Sequence, residues 1–377
     1  MAADDAHGST TILIRAGAPS PGAATGDGRA HYLTVVAGER AGLRVELGAR
    51  PVVIGRVPPA DLVIDDSQIS RKHCRVSLVM EEVYVADLGS SNGTMVDGKR
   101  ITQAVMLPAG SRLQVGGHLL EHEFRSRKEV EASKELDRDL ESARRYVHSL
   151  IPAPLTEGPI RTEWLLLPSA RLGGDVFGYH QLDARTFAIF LLDVSGHGTG
   201  AAMHAVSVTN VLQRDAVPGL DMRDPAKVAA HVNAMFQMST HGGLYLTLWY
   251  GVYDLETRTL AYCSAGHHPS YLVAQARERA IPLKTGNIMI GATSPFEFES
   301  SSVEVPAGSR LYVFSDGIFE IEAKDGEQWG LDHVLPLIVE PPVQGMTEPE
   351  RLLQAIRRRA RHPDFEDDFT VLVATFL

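Results

Sequence analysis

Six apolar residues in a row, Phe187–Leu192, run straight into Asp193, and the chain then breaks into glycine at Gly196, Gly198 and Gly200. A short, unbroken apolar run reads as a buried strand. A carboxylate at its end is costly to bury without a partner. Asp193 therefore either emerges at a turn or meets something positive, and the rest of the chain has to decide between the two.

The chain around this strand is 377 residues long, which suggests two or three domains. Residues 1–30 are rich in Gly, Ala, Pro and Ser and are expected to form a flexible tail. Residues 31–125 hold many short strand-like runs separated by Gly-bearing turns, the pattern of an all-β sandwich. Residues 126–152 are charged and lack glycine, so they read as a linker helix. Within it Leu136, Leu140, Ala143, Val147 and Leu150 alternate spacings of four and three. That seam serves either a coiled-coil homodimer through residues 130–150 or a helix docked on its own domain. From 153 to 377 strands and helices mix in an order that fits antiparallel sheets covered by helices, an α+β domain. One helix there is expected to start at Asp224 as N-cap, with Pro225 in the first turn and Val228, Val232, Met235 and Phe236 on one face. Another is expected after the capping box of Thr347 and Glu350.

Asp193 is not alone in this last region. Asp175 follows two glycines in "GGDVFG", Asp316 ends a strand in "LYVFSDGI", and Asp367 and Asp368 precede the last strand in "FEDDFTVLV". Carboxylates gathered at strand ends repel one another and need cations. Oxygen donors favour Mg²⁺ or Mn²⁺ over zinc. A pair of such ions can clamp a phosphoryl group and activate water.

The segments "LGGDVFG", "LLDVSGHGTGAAM", "LYLTLWYGVYD", "YCSAGHHPSYLV", "YVFSDGIFE" and "DDFTVLV" together resemble the bacterial PP2C-like phosphatases of the sporulation-phosphatase and sigma-regulator-phosphatase type, over roughly residues 135–377. The resemblance implies an αββα sandwich with two divalent cations, Mn²⁺ or Mg²⁺, acting on phosphoserine or phosphothreonine in a protein, often an anti-sigma-factor antagonist. By position, Asp193 would bridge the cations, joined by the carbonyl of Val194. Asp316 and Asp367 would complete a cation site, Asp175, counted with Asp193 as catalytic and among the cation residues, would lie in or beside it, and Asp368 would not be a direct ligand. Gly178 departs from the pattern, since members often carry a further aspartate there. His197 is read as positioning the loop or a water, Arg171 as a surface residue, and His267 and His268 as parts of a structural turn.

In the first domain, Gly55-Arg56, Ser70-Arg71-Lys72-His73 and Ser91-Asn92-Gly93-Thr94 fall on successive loops. Guanidinium and hydroxyl groups suit phosphate, and an Asn amide suits an extended peptide backbone. These motifs resemble the forkhead-associated (FHA) domain over about residues 31–125. That resemblance implies an 11-stranded sandwich binding phosphothreonine peptides. Arg56, Ser70 and Arg71 would touch phosphate, Asn92 with Ser91 would hold the peptide, and His73 and Gly55 would shape the loops. Thr10 and Thr11 in the tail are candidate phosphothreonine ligands of the same domain.

The formal net charge of −11 argues against nonspecific nucleic-acid or acidic-membrane binding. Two distant cysteines, Cys74 and Cys263, read as free thiols of a cytoplasmic protein. The expected function is a metal-dependent protein serine/threonine phosphatase whose FHA domain docks a phosphothreonine partner or kinase. The competing reading is an inactive phosphatase domain serving as a phosphothreonine-reading scaffold.

Overall fold

A computed structural model describes residues 28–38, 41–213, 219–362 and 364–377. Thr10 and Thr11 lie outside the described residues. The chain divides into two compact units between Asp137 and Arg138.

Among the described residues the first unit holds eleven strands: β1 (Arg29–Ala37), β2 (Arg44–Leu47), β3 (Val52–Gly55), β4 (Leu62–Val63), β5 (Cys74–Val79), β6 (Glu82–Asp87), β7 (Thr94–Val96), β8 (Lys99–Arg100), β9 (Val105–Met106), β10 (Arg112–Val115) and β11 (His118–Ser126). They form a six-stranded sheet, β2-β1-β11-β10-β7-β8, and a five-stranded sheet, β4-β3-β5-β6-β9. Alternate residues such as Leu33, Val35, Ile54, Val76, Val85, Leu113 and Leu120 meet in one core between them. β1 begins inside the stretch expected to be tail, because Arg29 pairs with Ser126 at the end of β11.

The long helix α1 (Arg127–Ser149) follows. Val130 is buried with Ala30 and Tyr32 of the first unit, and Arg127 donates to Glu46 at 2.7 Å. In the second unit Val147 packs on the core beneath α2, introduced below. Between these points Leu136 is 59% exposed, whereas Leu140 and Ala143 are half-buried.

The second unit continues with β12 (Ile160–Leu167), β13 (Val176–Gln181), β14 (Thr186–Val194), α2 (Thr199–Gln213), α3 (Pro225–Met235), β15 (Leu246–Asp254), β16 (Thr259–Ala265), β17 (Ser270–Val273), β18 (Ala280–Leu283), β19 (Ser301–Glu304), β20 (Ser309–Phe314), α4 (Leu331–Val339), α5 (Glu348–Arg359) and β21 (Phe369–Phe376). Two sheets, β13-β14-β15-β16-β19 and β12-β21-β20-β17-β18, stack face to face. The unbroken apolar run of β14 now has its reason. Ala188, Phe190 and Leu192 face α2 and α3, while Phe187, Ile189 and Leu191 face the other sheet. On the far side Phe369, Val371 and Val373 of β21 pack under α4 and α5. The layers are therefore α, β, β, α.

The capping expectations are met in detail. Asp224 accepts from the Lys227 N–H at 3.2 Å, and Thr347 and Glu350 form a reciprocal box. Met235 departs from its expected place, being 46% exposed. The helix ends at Met235, and Phe236 turns inward in its stead.

Glu348, at the start of α5, accepts from Arg277 at 2.8 Å, from the Tyr312 hydroxyl at 3.0 Å and from Arg351 at 2.8 Å. Glu348 and Arg351 are both buried. Truncating Glu348 strands two guanidinium groups, so Glu348→Ala is expected to cost about 3–5 kcal/mol. Urea unfolding of the full chain measures it.

Candidate functional site

Each predicted acid sits at one end of the two stacked sheets. Asp193 is the last residue but one of β14, opposite Thr247 of β15. Asp175 immediately precedes β13, where Val176 pairs with Leu192. Asp316 opens a 3-10 turn after β20, capped by Ser315. Asp367 and Asp368 immediately precede β21, which pairs with β20.

The acids are close enough to act on one another. The Asp193 carboxyl is pushed up to about 7 by burial and then by Asp316, Asp367 and Asp368. That of Asp316 rises to about 6 through burial, then Glu320 and Asp367. Asp175 is raised well above the usual carboxylate range by burial, then by Asp193 and Asp368. Glu320 was not anticipated from sequence. It lies four residues beyond Asp316 in a turn, where no motif marks it.

A web of hydrogen bonds fixes the frame. Asp175 accepts from the Thr370 hydroxyl at 2.6 Å. Asp368 accepts from the Ser169 N–H at 2.8 Å, the Ser169 hydroxyl at 3.0 Å and the Asp175 N–H at 3.3 Å. Ser315 donates to the Asp368 carbonyl at 2.9 Å and accepts from the Thr370 N–H at 3.2 Å. Asp368 thus ties the segment before Asp175 to the final strand. The glycines let backbones approach: a Cβ on Gly174 would lie 2.6 Å from the Val194 carbonyl oxygen, and one on Gly317 would lie 2.3 Å from that of Asp368. Gly178 has the same kind of reason. A Cβ there would meet the Phe190 ring at 2.4 Å, so any side chain at this position would require that ring to shift.

Among the described residues no three His, Cys, Asp or Glu side chains converge tightly enough to hold a metal ion as they stand. The chemistry of the donor set nevertheless fits hard cations. Like charges raise one another's proton affinity, and a divalent ion would relieve that repulsion. His197 and Arg171 are exposed. His267 is buried, and burial holds its imidazole far below its usual range. Burial also lowers His268, to about 4. A separate hollow of about 720 Å³, lined by Asp183, Arg185, Arg223 and Asp254, lies at the opposite end of β14. Its arginines are engaged by Asp254 at 2.7 Å and by Asp221 at 2.9 Å.

In the first unit the predicted loops meet. The Arg56 N–H donates to the Ser70 carbonyl at 3.0 Å. The Ser91 N–H donates to the Ser70 hydroxyl at 3.1 Å, and the Asn92 amide donates to the Gln68 carbonyl at 2.8 Å. Arg71, Ser91 and Asn92 are exposed, and Arg56 and Ser70 half-buried. Buried His73 joins the loops from below, accepting from the Ser70 N–H at 3.2 Å and donating to the Gly93 carbonyl at 3.0 Å. A Cβ on Gly55 would lie 2.1 Å from the Arg71 carbonyl oxygen. Asp87, overlooked in the sequence, organises the Asn92 loop. It accepts from the Gly89 and Ser90 N–H groups and from the Ser90 and Thr94 hydroxyls, and these bonds outweigh its burial to hold its carboxyl down at about 2.

Both regions are similar to known proteins. The family described as Stage II sporulation protein E (SpoIIE) matches residues 183–377, just over half of the chain. The chain belongs to the SpoIIE family. The FHA domain matches residues 52–116, so the SpoIIE region is preceded by an FHA sandwich. Phosphoserine phosphatase RsbP of Bacillus subtilis is 29% identical over 187 residues, 48% of this chain and 45% of RsbP. FHA domain-containing protein FhaB of Mycobacterium tuberculosis is 41% identical over 92 residues, 24% of this chain and 59% of FhaB. The chain therefore spans about half the length of these relatives. The SiaA-PP2C domain of Pseudomonas aeruginosa superposes with a TM-score of 0.56 at 21% identity, covering 65% of this chain and 99% of that domain. The PP2C phosphatase domain of SpoIIE from Bacillus subtilis, with a fragment of its regulatory domain, gives 0.50 at 22% identity, covering 57% of this chain and 63% of that one. These superpositions establish the PP2C fold of the SpoIIE region.

Proposed function

We propose that this SpoIIE-family chain is a metal-dependent protein serine/threonine phosphatase acting on a phosphorylated regulator, with an anti-sigma-factor antagonist as the candidate class. Its FHA domain docks a phosphothreonine-bearing partner or kinase. The observation that carries the enzymatic half is the gathering of these acids at one end of the sheets, close enough that Asp316 and Asp367 raise the Asp193 carboxyl and Asp367 also raises that of Asp316. Asp193, Asp316 and Asp367, with the Val194 carbonyl, would hold two divalent cations, Mn²⁺ or Mg²⁺. When bound, these supply Lewis acidity toward water and the phosphoryl oxygens. Asp175, bonded to Thr370, and Asp368, bonded to Ser169, keep the loops that carry the donors in register. The exposed Leu136 on α1 marks where a second copy would pair if the chain is a homodimer.

The deciding experiment is Mn²⁺-dependent hydrolysis of p-nitrophenyl phosphate and of a phosphoserine protein by the full chain. Absence of metal-dependent turnover on both would overturn the phosphatase reading and leave a phosphothreonine-reading scaffold.

Charge-assisted hydrogen bonds contribute about 1.5–3 kcal/mol each. Arg56→Ala is therefore expected to weaken binding of a phosphothreonine peptide by about 10- to 100-fold, and Asn92→Ala, which removes neutral hydrogen bonds of about 0.5–1.5 kcal/mol, by about 2- to 10-fold. Fluorescence anisotropy with the phosphorylated and unphosphorylated peptide checks this. Equal affinity of wild type for both peptides would refute the docking role.

A further inference from the structure

The Gly266-His267-His268-Pro269 turn joins β16 to β17, and nothing in the proposed chemistry uses it. Its geometry ties it to the candidate cation site. The His268 ring stacks on Phe314, with centroids 4.8 Å apart and planes at 29°. It also meets Phe319 edge-on, at 5.0 Å and 88°. Phe314 is the last residue of β20, and Phe319 caps the 3-10 turn that Asp316 opens. The two phenylalanines thus bracket Asp316, and the imidazole is seated against both.

The turn holding that imidazole is itself rigid. The Ser264 hydroxyl donates to the His267 carbonyl at 2.7 Å. His267 Nδ1 donates to the His268 carbonyl at 2.8 Å, and His268 Nδ1 donates to the Pro269 carbonyl at 3.0 Å. The His267 ring lies 4.2 Å from that of His268. On its other flank the Asp316 turn is held by Ser315 against the Asp368 backbone. Asp316 therefore stands between a polar tie and an aromatic one.

We infer that His268 is a positioning residue for Asp316: its ring, wedged against Phe314 and Phe319, sets where the Asp316 carboxylate stands in the cation site. The inference rests on the phosphatase reading above. Residues that orient metal ligands from behind typically change affinity or activity by about 10- to 100-fold when removed. The ring acts on Asp316 by shape and π-stacking, while its Nδ1 bond to the Pro269 carbonyl serves its own turn, so another aromatic should restore the placement of Asp316.

The test compares His268→Leu, His268→Ala and His268→Phe in the full chain. Mn²⁺ binding is measured by titration calorimetry, and kcat and KM on p-nitrophenyl phosphate are measured alongside. The expected result is Mn²⁺ affinity at least about 10-fold weaker for Leu and Ala, with recovery to within about 3-fold of wild type for Phe. Leu matching wild type, or Phe failing to recover binding in a folded protein, would overturn the inference while leaving the phosphatase reading intact. Leu and Ala both failing to fold while Phe folds would make the ring a folding element and also overturn it. Wild type binding no Mn²⁺ would instead remove the phosphatase reading, and this inference with it.

Discussion

Asp193→Asn is expected to lower Mn²⁺-dependent turnover more than about 100-fold and, in the same protein, to raise the metal-free stability at pH 8. Both effects have one cause. The Asp193 carboxyl is pushed up to about 7 because it is half-buried at the strand end and faces Asp316, Asp367 and Asp368. At pH 8 the Asp193 and Asp316 carboxyls have both lost their protons, so the metal-free fold contains uncompensated repulsion. Asn keeps the shape and removes one charge. A pKa unit corresponds to about 1.4 kcal/mol, and the rise from 3.8 to about 7 sets a ceiling of about 4 kcal/mol on the gain.

The pH dependence follows from linkage. The unfolded chain releases this proton near its ordinary value of 3.8, whereas the fold keeps it until about 7. Between those values the folded state binds more protons, so the cluster's contribution to stability falls as pH rises. The advantage of Asp193→Asn should be near zero below about pH 4, grow to about pH 7 and stay level above it. Saturating Mn²⁺ should reverse the order at pH 8, because only the wild type keeps its full set of donors. Urea denaturation at pH 4.5 and 8, with and without Mn²⁺, reads all of this. A variant no more stable than wild type in chelator at pH 8 would contradict the assembled carboxylate cluster.

The parts of this site that could be read in sequence were those with a local signature. β14 announced itself because both its faces are covered, which forces an unbroken apolar run. Asp175, Asp316 and Asp367 each stand beside a strand end with glycine or a second acid next to them, and Asp193 ends an apolar run three residues before Gly196. The loops around Arg56, Ser70 and Asn92 were legible for the same reason, since each motif is contiguous. What stayed hidden depends on contacts between distant positions. The bonds from Ser169 to Asp368 bridge 199 positions, and no periodicity reports such a tie. Glu320 reaches the cluster only through the turn that follows Asp316, and the ion network of Glu348 needs Arg277, 71 residues away. Met235 was misplaced because helical spacing gives no warning that a helix is about to end.

Gly317→Ala is expected to weaken Mn²⁺ binding and kcat/KM by about 100-fold, although it removes no functional group. The added Cβ would sit 2.3 Å from the carbonyl oxygen of Asp368, 2.9 Å from its carbonyl carbon and 3.1 Å from that of Asp367. All three are backbone atoms, so no side chain can swing aside. The Asp316 turn and the Asp367–Asp368 segment must separate, and these carry two of the proposed donors. Overpacking of this kind costs about 1–3 kcal/mol, which the stable sheets beneath can absorb. The damage should therefore appear in metal affinity more than in folding. Gly200→Ala is the matched control. It is nearer to Asp193 in sequence, but it lies in the first turn of α2 with nothing within 4 Å of the new Cβ. Replacing that glycine should leave Mn²⁺ binding unchanged and add about 0.5–1 kcal/mol of helix stability. Calorimetric Mn²⁺ titration of the two variants separates close backbone approach at the site from general sensitivity of its glycines. Equal affinities for Gly317→Ala and wild type would show that the Asp316 and Asp367 segments need not touch for the cations to bind.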